Sequence, residues 1–280
     1  LFKYIGAKSR LLKTLIPAIL DANKAEYREP FAGSGKVFTE LLKHHQFEKV
    51  WINDKFPAVA SFWAAVHRHP DDLVKELGKV KMWRDQPISL DDYTARRKEA
   101  LALDRLPSVK TDLLYHAVNL FVVMMQTFDG NLLAGSPSRT VDRWHVPNYE
   151  KKIVELAGHM NKSKTTITAG DFEPLLSEGD AVVYCDPPYW SQGDGLYPHT
   201  FTADDHFRLS KGLRNSKSRW LVSYDVHDVV LGLYSWADVG RVRMEYSSSR
   251  KFWWAKVERV KIKYSAQGRN KWAEELLIRG

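Results

Sequence analysis

Apolar and polar positions follow two rhythms along this chain, and the rhythm changes twice. Leu11 to Leu20 carries apolar residues at helical spacing behind Ser9, a residue type suited to an N-cap, which predicts a first helix. "YREPF" predicts a short strand running into "AGSG". A helix follows from about Lys36 to His44, and "KVWIND" predicts a second strand that ends on an acid. Together these make a β–turn–α–β unit.

From about residue 56 to 160 helical periodicity dominates, over 57–68, 71–79, 90–100 and 111–125, with the apolar "LLYHAVNLFVVMM" predicting a buried helix. The stretch from Gln126 to Asn148 is rich in turn formers, and Asp129-Gly130 is a hairpin signal. Strands are then predicted at 164–169, 181–185, 219–224, 241–246, 256–264 and 274–278, with helices near 202–215 and 226–233. Alternating strands and helices imply a doubly wound α/β fold whose largely parallel sheet is covered on both faces. The closely spaced last strands imply an antiparallel edge.

Bulk properties narrow the function. A chain of 280 residues is long enough for one large domain or a domain carrying a sizeable insertion. No apolar run approaches the roughly 20 residues that span a bilayer, so no membrane partner is expected. "LFKYIGAKSR" is charged and lacks the apolar core of a secretory signal. Cys185 is the single cysteine, which excludes a disulfide within the chain and favours a cytoplasmic setting. The formal charge is +8, and from Arg241 to Lys271 ten Lys/Arg face two Glu, so this tract alone accounts for the excess. Such a tract serves equally as the solvated face of edge strands or as a phosphate-binding surface. The interleaved Tyr246, Phe252, Trp253, Trp254 and Tyr264 favour nucleic acid, because bases stack on rings.

Two constellations carry chemistry. In "PFAGSG" (Pro30 to Gly35), Gly33 and Gly35 allow close backbone approach at a strand-to-helix turn. Alone, a Gly-X-Gly turn serves a bend as well as a ligand, and this one is neither a dinucleotide fingerprint nor a P-loop. Asp54, about 20 residues on at the end of the next strand, stands where α/β folds place a carboxylate for ribose hydroxyls, and the combination points to a nucleoside cofactor. "DPPY" is the stronger signal. Pro187 and Pro188 have no N–H and fix φ, holding the Asp186 and Pro187 carbonyls with few alternatives. A carboxylate beside a backbone carbonyl makes a paired acceptor for an amino group, and Tyr189 offers a ring for a planar base. An amino nitrogen so held is aligned for attack on an electrophilic methyl carbon. His44-His45 and His67 to His69 lack companions at metal-ligand spacing, and no metal is expected.

The ordered set "KYIGAKSRLL", "PFAGSG", a long middle region and "YCDPPYW" resembles the Dam-type (D12 class) DNA adenine N6-methyltransferases over nearly the whole chain. The resemblance implies a Rossmann-like, seven-stranded methyltransferase sheet formed by 1–56 and 161–280, with 57–160 a mainly helical target-recognition insertion. It implies S-adenosyl-L-methionine as cofactor, with Tyr4 and Lys8 over it and Lys8 near the methionine carboxylate. Phe31, Ala32, Gly33, Ser34 and Gly35 would line its methionine and sugar, and Asp54 its ribose. Asp186 and the Pro187 carbonyl would hold the N6 amino group of a flipped adenine while Tyr189 stacks on it, Pro188 stiffening the loop; Asp186 would also touch the cofactor. Transfer would be direct, leaving Cys185 a core thiol. Ala32 and Ser34 replace residues commonly Cys and Gly, Tyr4 replaces an aromatic that is often Trp, and the Trp pair in the basic tail is unusual for the family. Double-stranded DNA is the expected partner of a monomer, with a restriction enzyme as a functional counterpart that makes no contact. For DNA, the resemblance points to about 60–160, between the glycine turn and the Asp-Pro-Pro-Tyr strand. Within it the loop 126–148 is the candidate, where Asn131 is suited to adenine and Arg139, Arg143 and His145 to phosphates or guanine, and Arg250 and Lys251 are candidates in the basic tract. Each serves a plain surface role as readily. Arg96, Arg97 and Lys98 are expected on a solvated helix face. Cytosine-N4 or RNA-adenine methylation and an inactive DNA-binding relative are the alternatives; the acid that opens the tetrapeptide leans toward adenine in DNA.

Overall fold

A computed structural model describes residues 8, 11–80, 88–127, 131–133, 146–192, 198–244, 255–259 and 273–280. Helix α1 (Leu12–Leu20) leads into β1 (Glu26–Glu29), α2 (Lys36–His44) and β2 (Lys49–Asp54). Among the described residues the helices α3 (Pro57–Arg68), α4 (Pro70–Gly78), α5 (Leu90–Ala102), α6 (Lys110–Gln126) and α7 (Val146–Met160) follow. The chain then runs through β3 (Lys164–Ala169), β4 (Ala181–Cys185), α8 (Ala203–Asn215), β5 (Arg219–Asp225), α9 (Asp228–Leu233), β6 (Asp238–Met244), β7 (Ala255–Arg259) and β8 (Ala273–Arg279).

The strand order is β3-β2-β1-β4-β5-β8-β6-β7. The first five are parallel, whereas β8 enters antiparallel between β5 and β6. Seven strands from β3 to β6 make the expected sheet, and β7 extends its edge. The last strand in sequence is thus an inner strand, not the outermost.

Burial of both sheet faces explains the near-continuous apolar run of β4, since every residue from Ala181 to Cys185 is buried. Side chains alternate between two cores: Val182 and Tyr184 join one, Val183 and Cys185 the other. The first core also takes α1, α2 and the helices α3 to α7, and the second is closed by α8 and α9. Helix α3 is buried without a break from Pro57 to Val66, because it lies between sheet and outer helices. The 57–160 region therefore shares its core with the sheet.

Three expectations differ from the structure. Helix α7 begins at Val146, inside the stretch expected to be a loop, and buries Tyr149, Ile153, Leu156, Ala157 and Met160 at helical spacing. Helix α1 starts after Leu11 with no side-chain cap; Ser9 lies outside the described residues, as does Asp129-Gly130. Arg96 and Arg97 are not merely solvated: Arg96 bonds Asp92 and Asn119, and Arg97 donates to the carbonyls of Leu132 (2.7 Å) and Leu133 (3.0 Å). No helix among the described residues is long and apolar enough to cross a membrane.

Candidate active site

Parallel strands end at one edge of the sheet, and α/β proteins bind ligands there. A cavity of about 340 Å³ opens at that edge, walled by the turns after β1, β2, β3 and β4. Its size is that of a small-molecule site.

The wall after β1 is the glycine turn. Gly33 (φ 47°) and Gly35 (φ 65°) are left-handed, which glycine adopts without steric cost. Phe31, Ala32, Gly33 and Ser34 line the cavity. Gly35 does not: a Cβ there would stand 2.4 Å from the Trp63 ring and 2.5 Å from Phe38, so this glycine admits α3 rather than a ligand. Trp63 Nε1 in turn donates to the Gly33 carbonyl at 3.0 Å.

Asp54, at the end of β2, ties the turn down. Its carboxylate accepts from Gly33 N–H at 2.7 Å and Phe56 N–H at 2.9 Å. Burial pushes its pKa up from 3.8 to about 6, even though both N–H bonds pull the other way. Asn53 completes the corner, donating to the Pro30 and Gly170 carbonyls at 3.0 and 3.1 Å.

After β4, Asp186, Pro187, Pro188 and Tyr189 all line the same cavity. Asp186 is paired with the Lys8 ammonium at 2.7 Å and accepts from the Ser223 hydroxyl at 3.0 Å. Burial raises its carboxyl, with Lys8 and Ser223 opposing. The same ammonium lies 4.6 Å from the centre of the Tyr189 ring. Lys8 thus sits on the catalytic candidates rather than at a distance from them. Trp190 turns away, packing its ring on His206 and His227, while Asp225 accepts from the Trp190 and Ser191 N–H groups at 3.2 and 3.0 Å.

Several residues escaped the sequence reading. Phe172 and Phe201 pack with Phe31 at 5.5 and 5.6 Å to form an aromatic wall. Arg208 covers Phe172 at 5.0 Å and pairs with Asp171, Glu173 and Asp205. The available signal for Phe172 was its place just past the end of β3, where the sheet edge rule applies. Glu29, the acid directly before "PFAGSG", is buried in the cavity wall, accepts from the Tyr27 hydroxyl at 2.5 Å and is raised by burial.

Of the remaining expected residues, Asn131 accepts from Leu133 N–H at 2.9 Å in a local turn. Tyr4, Arg139, Arg143, His145, Arg250 and Lys251 lie outside the described residues.

Comparison with known proteins places the chain in a family. Residues 4–260 match the family described as "D12 class N6 adenine-specific DNA methyltransferase". A curated relative, the "Type II methyltransferase M.MjaIII" of Methanocaldococcus jannaschii, is 27% identical over 233 residues, covering 78% of this chain and 80% of the relative. Among solved structures, a precorrin 8w decarboxylase of Methanobacterium thermoautotrophicum covers 95% of this chain and 89% of its own, but at 9% identity and a TM-score of 0.37 it carries no weight. The family match spans most of the chain, both constellations included, and the chain belongs to the D12 class of N6 adenine-specific DNA methyltransferases.

Proposed function

We propose that this adenine-specific DNA methyltransferase binds S-adenosyl-L-methionine against the glycine turn and Asp54, and receives a flipped adenine between Asp186 and Tyr189. One observation carries the reading: both constellations, more than 130 residues apart in sequence, wall a single cavity. The residues present fit the cofactor. Phe31, Phe172 and Phe201 offer apolar surface for a purine, and Asp54 keeps lone pairs beyond its two N–H bonds for ribose hydroxyls. When bound, the cofactor supplies an electrophilic methyl group.

The chain's own groups do the rest. Asp186 and the Pro187 carbonyl accept the two N6 hydrogens, which orients the nitrogen lone pair and raises its electron density. Tyr189 supplies the stacking face once the base has left the duplex. Because the Lys8 ammonium holds both the Asp186 oxygen and the face of Tyr189, it withdraws when the base enters. The carboxylate of the cofactor would be its partner there, and Tyr4 would help to hold the same ligand.

The catalytic unit is 1–56 with 161–280, and 57–160 is the target-recognition insertion. Duplex DNA would lie against the insertion and the basic tract, with Asn131 suited to adenine, Arg139, Arg143 and His145 to phosphates or guanine edges, and Arg250 and Lys251 to DNA at the basic tract. The chain acts as a monomer, and a restriction enzyme that reads the same site without touching it is its counterpart. The test is to incubate the protein with unmethylated duplex DNA and methyl-labelled cofactor, then analyse the nucleosides. Label is expected in N6-methyladenine and falls about 10²–10³-fold on Asp186→Ala. Label in N4-methylcytosine, or an undiminished Asp186→Ala, refutes the assignment.

A further inference from the structure

The loop after β4 is gripped from the neighbouring strand β5 and from β8 beyond it. Ser223 on β5 donates to Asp186, Asp225 at the end of β5 accepts from Trp190 and Ser191, and Glu275 on β8 accepts from the Tyr189 hydroxyl at 2.9 Å. The first two belong to the segment that matches the family. Glu275 does not, since the match ends at residue 260.

We propose that Glu275 is a positioning residue for methyl transfer: by holding the Tyr189 hydroxyl it fixes the ring on which the target adenine stacks. The inference rests on Tyr189 being that stacking face. Tyr189 follows two prolines that stiffen the backbone leading to it, but its ring still turns about two side-chain bonds. A hydrogen bond at the far end of the ring fixes the first of these, and the preference of the phenolic O–H for the ring plane biases the second, so a planar base meets a surface already set in place.

Sheet stability alone does not account for this acid. Glu275 pairs in register with Asp225 on the antiparallel β5. Two acids directly opposite one another destabilise a sheet. Its neighbours Leu276 and Ile278 are wholly buried and serve the core, while Glu275 turns to the other face, toward the cavity edge. There the Tyr189 hydroxyl compensates it, and burial together with the nearby Asp186 keeps the phenol protonated, always a donor.

The experiment compares kcat and DNA KM of Glu275→Ala, Glu275→Gln, Tyr189→Phe and the double variant Glu275→Ala/Tyr189→Phe. In parallel, 2-aminopurine replaces the target base in a duplex bearing the sequence that the wild type methylates. Glu275→Ala and Tyr189→Phe are expected to lose about 10- to 100-fold in kcat, with DNA KM little changed. The double variant should lose no more than either single one, and Glu275→Gln, which keeps an acceptor oxygen, should recover most of the rate. The 2-aminopurine signal should change alike in Glu275→Ala and Tyr189→Phe. Wild-type kcat in Tyr189→Phe, or losses that add in the double variant, overturns the proposal. Tyr189→Phe removes the bond without touching the sheet, so it decides the matter even where Glu275→Ala does not fold. A wild-type protein that fails to methylate adenine would instead sink the underlying functional reading.

Discussion

If Asp54 holds the cofactor ribose as proposed, it gives the sharpest handle on cofactor binding, because its carboxyl titrates inside an accessible pH range. Burial raises it from 3.8 to about 6, a difference of about 3 kcal/mol at 1.36 kcal/mol per pH unit. Ribose hydroxyls need the ionised form as acceptor, so affinity follows the ionised fraction. Above pH 7 that fraction is near one. At pH 5 it is about one tenth, and apparent affinity falls about tenfold. Isothermal titration with S-adenosylhomocysteine, which has no group titrating between pH 5 and 8, reads this directly. Asp54→Asn should be flat across the window and, at pH 8, about 10- to 100-fold weaker than the wild type. Glu29, Asp171, Asp186 and His199 also face the cavity and remain in the variant. An Asn variant that keeps the inflection near pH 6, or a wild type without one, shows that Asp54 does not hold the ligand.

Further outcomes follow from the same geometry. Gly35→Ala places a Cβ against Trp63 and Phe38 at a left-handed φ, costing about 2–5 kcal/mol; thermal denaturation should show the midpoint lowered by about 5–15 °C. His206, 2.7 Å from the Tyr224 hydroxyl, is depressed by burial from 6.5 to about 4. The unfolded chain takes up that proton first, so stability is lost as pH falls from 6.5 to 4, by about 3 kcal/mol. Asp54 acts oppositely: the folded state keeps its proton longer, so stability rises as pH falls from 6 to 4. Urea melts should therefore show Asp54→Asn losing more stability on acidification than the wild type and His206→Gln losing less; identical slopes in all three refute both assignments. Arg97→Ala frees the Leu132 and Leu133 carbonyls at the root of the 126–148 segment. Steady-state kinetics should show DNA KM raised about tenfold with cofactor affinity unchanged; an unchanged DNA KM separates this clamp from recognition.

Much of the site was legible because local chemistry wrote it into short stretches. A strand ending in Asp186-Pro187-Pro188-Tyr189 states its own acceptors, and Gly33 with Asp54 states a turn and the acid that binds it. The parallel strands were legible from apolar runs such as "AVVYC", buried at every position. Other features arise only from closure of the chain. Lys8 reaches Asp186 across 178 residues, and Phe172 meets Phe201 only because α8 returns over the turn after β3. No spacing in the sequence encodes such meetings. Helix α7 is a different kind of miss: Tyr149, Ile153, Leu156 and Met160 spell its buried stripe, but the turn formers before it mask the start. Strand β8 was legible as a strand and not as an inner one, since sequence order says nothing of an antiparallel insertion between β5 and β6.

That insertion bears on when the protein becomes competent. Strand β5 ends at Asp225 and its partner β8 begins at Ala273, so their union waits on closing a long loop that itself holds β6 and β7. Loop closure of this kind exacts its entropic cost before any contact compensates for it, and non-local strand pairing is slow. Until β8 docks, β5 keeps an open edge and Tyr189 has no Glu275 to hold it. The glycine turn and Asp54 belong to β1 and β2, which follow one another directly in sequence, so that corner forms without such a closure. Cofactor affinity should therefore appear earlier in refolding than methyl transfer, and the two activities mark successive stages in the maturation of one cavity.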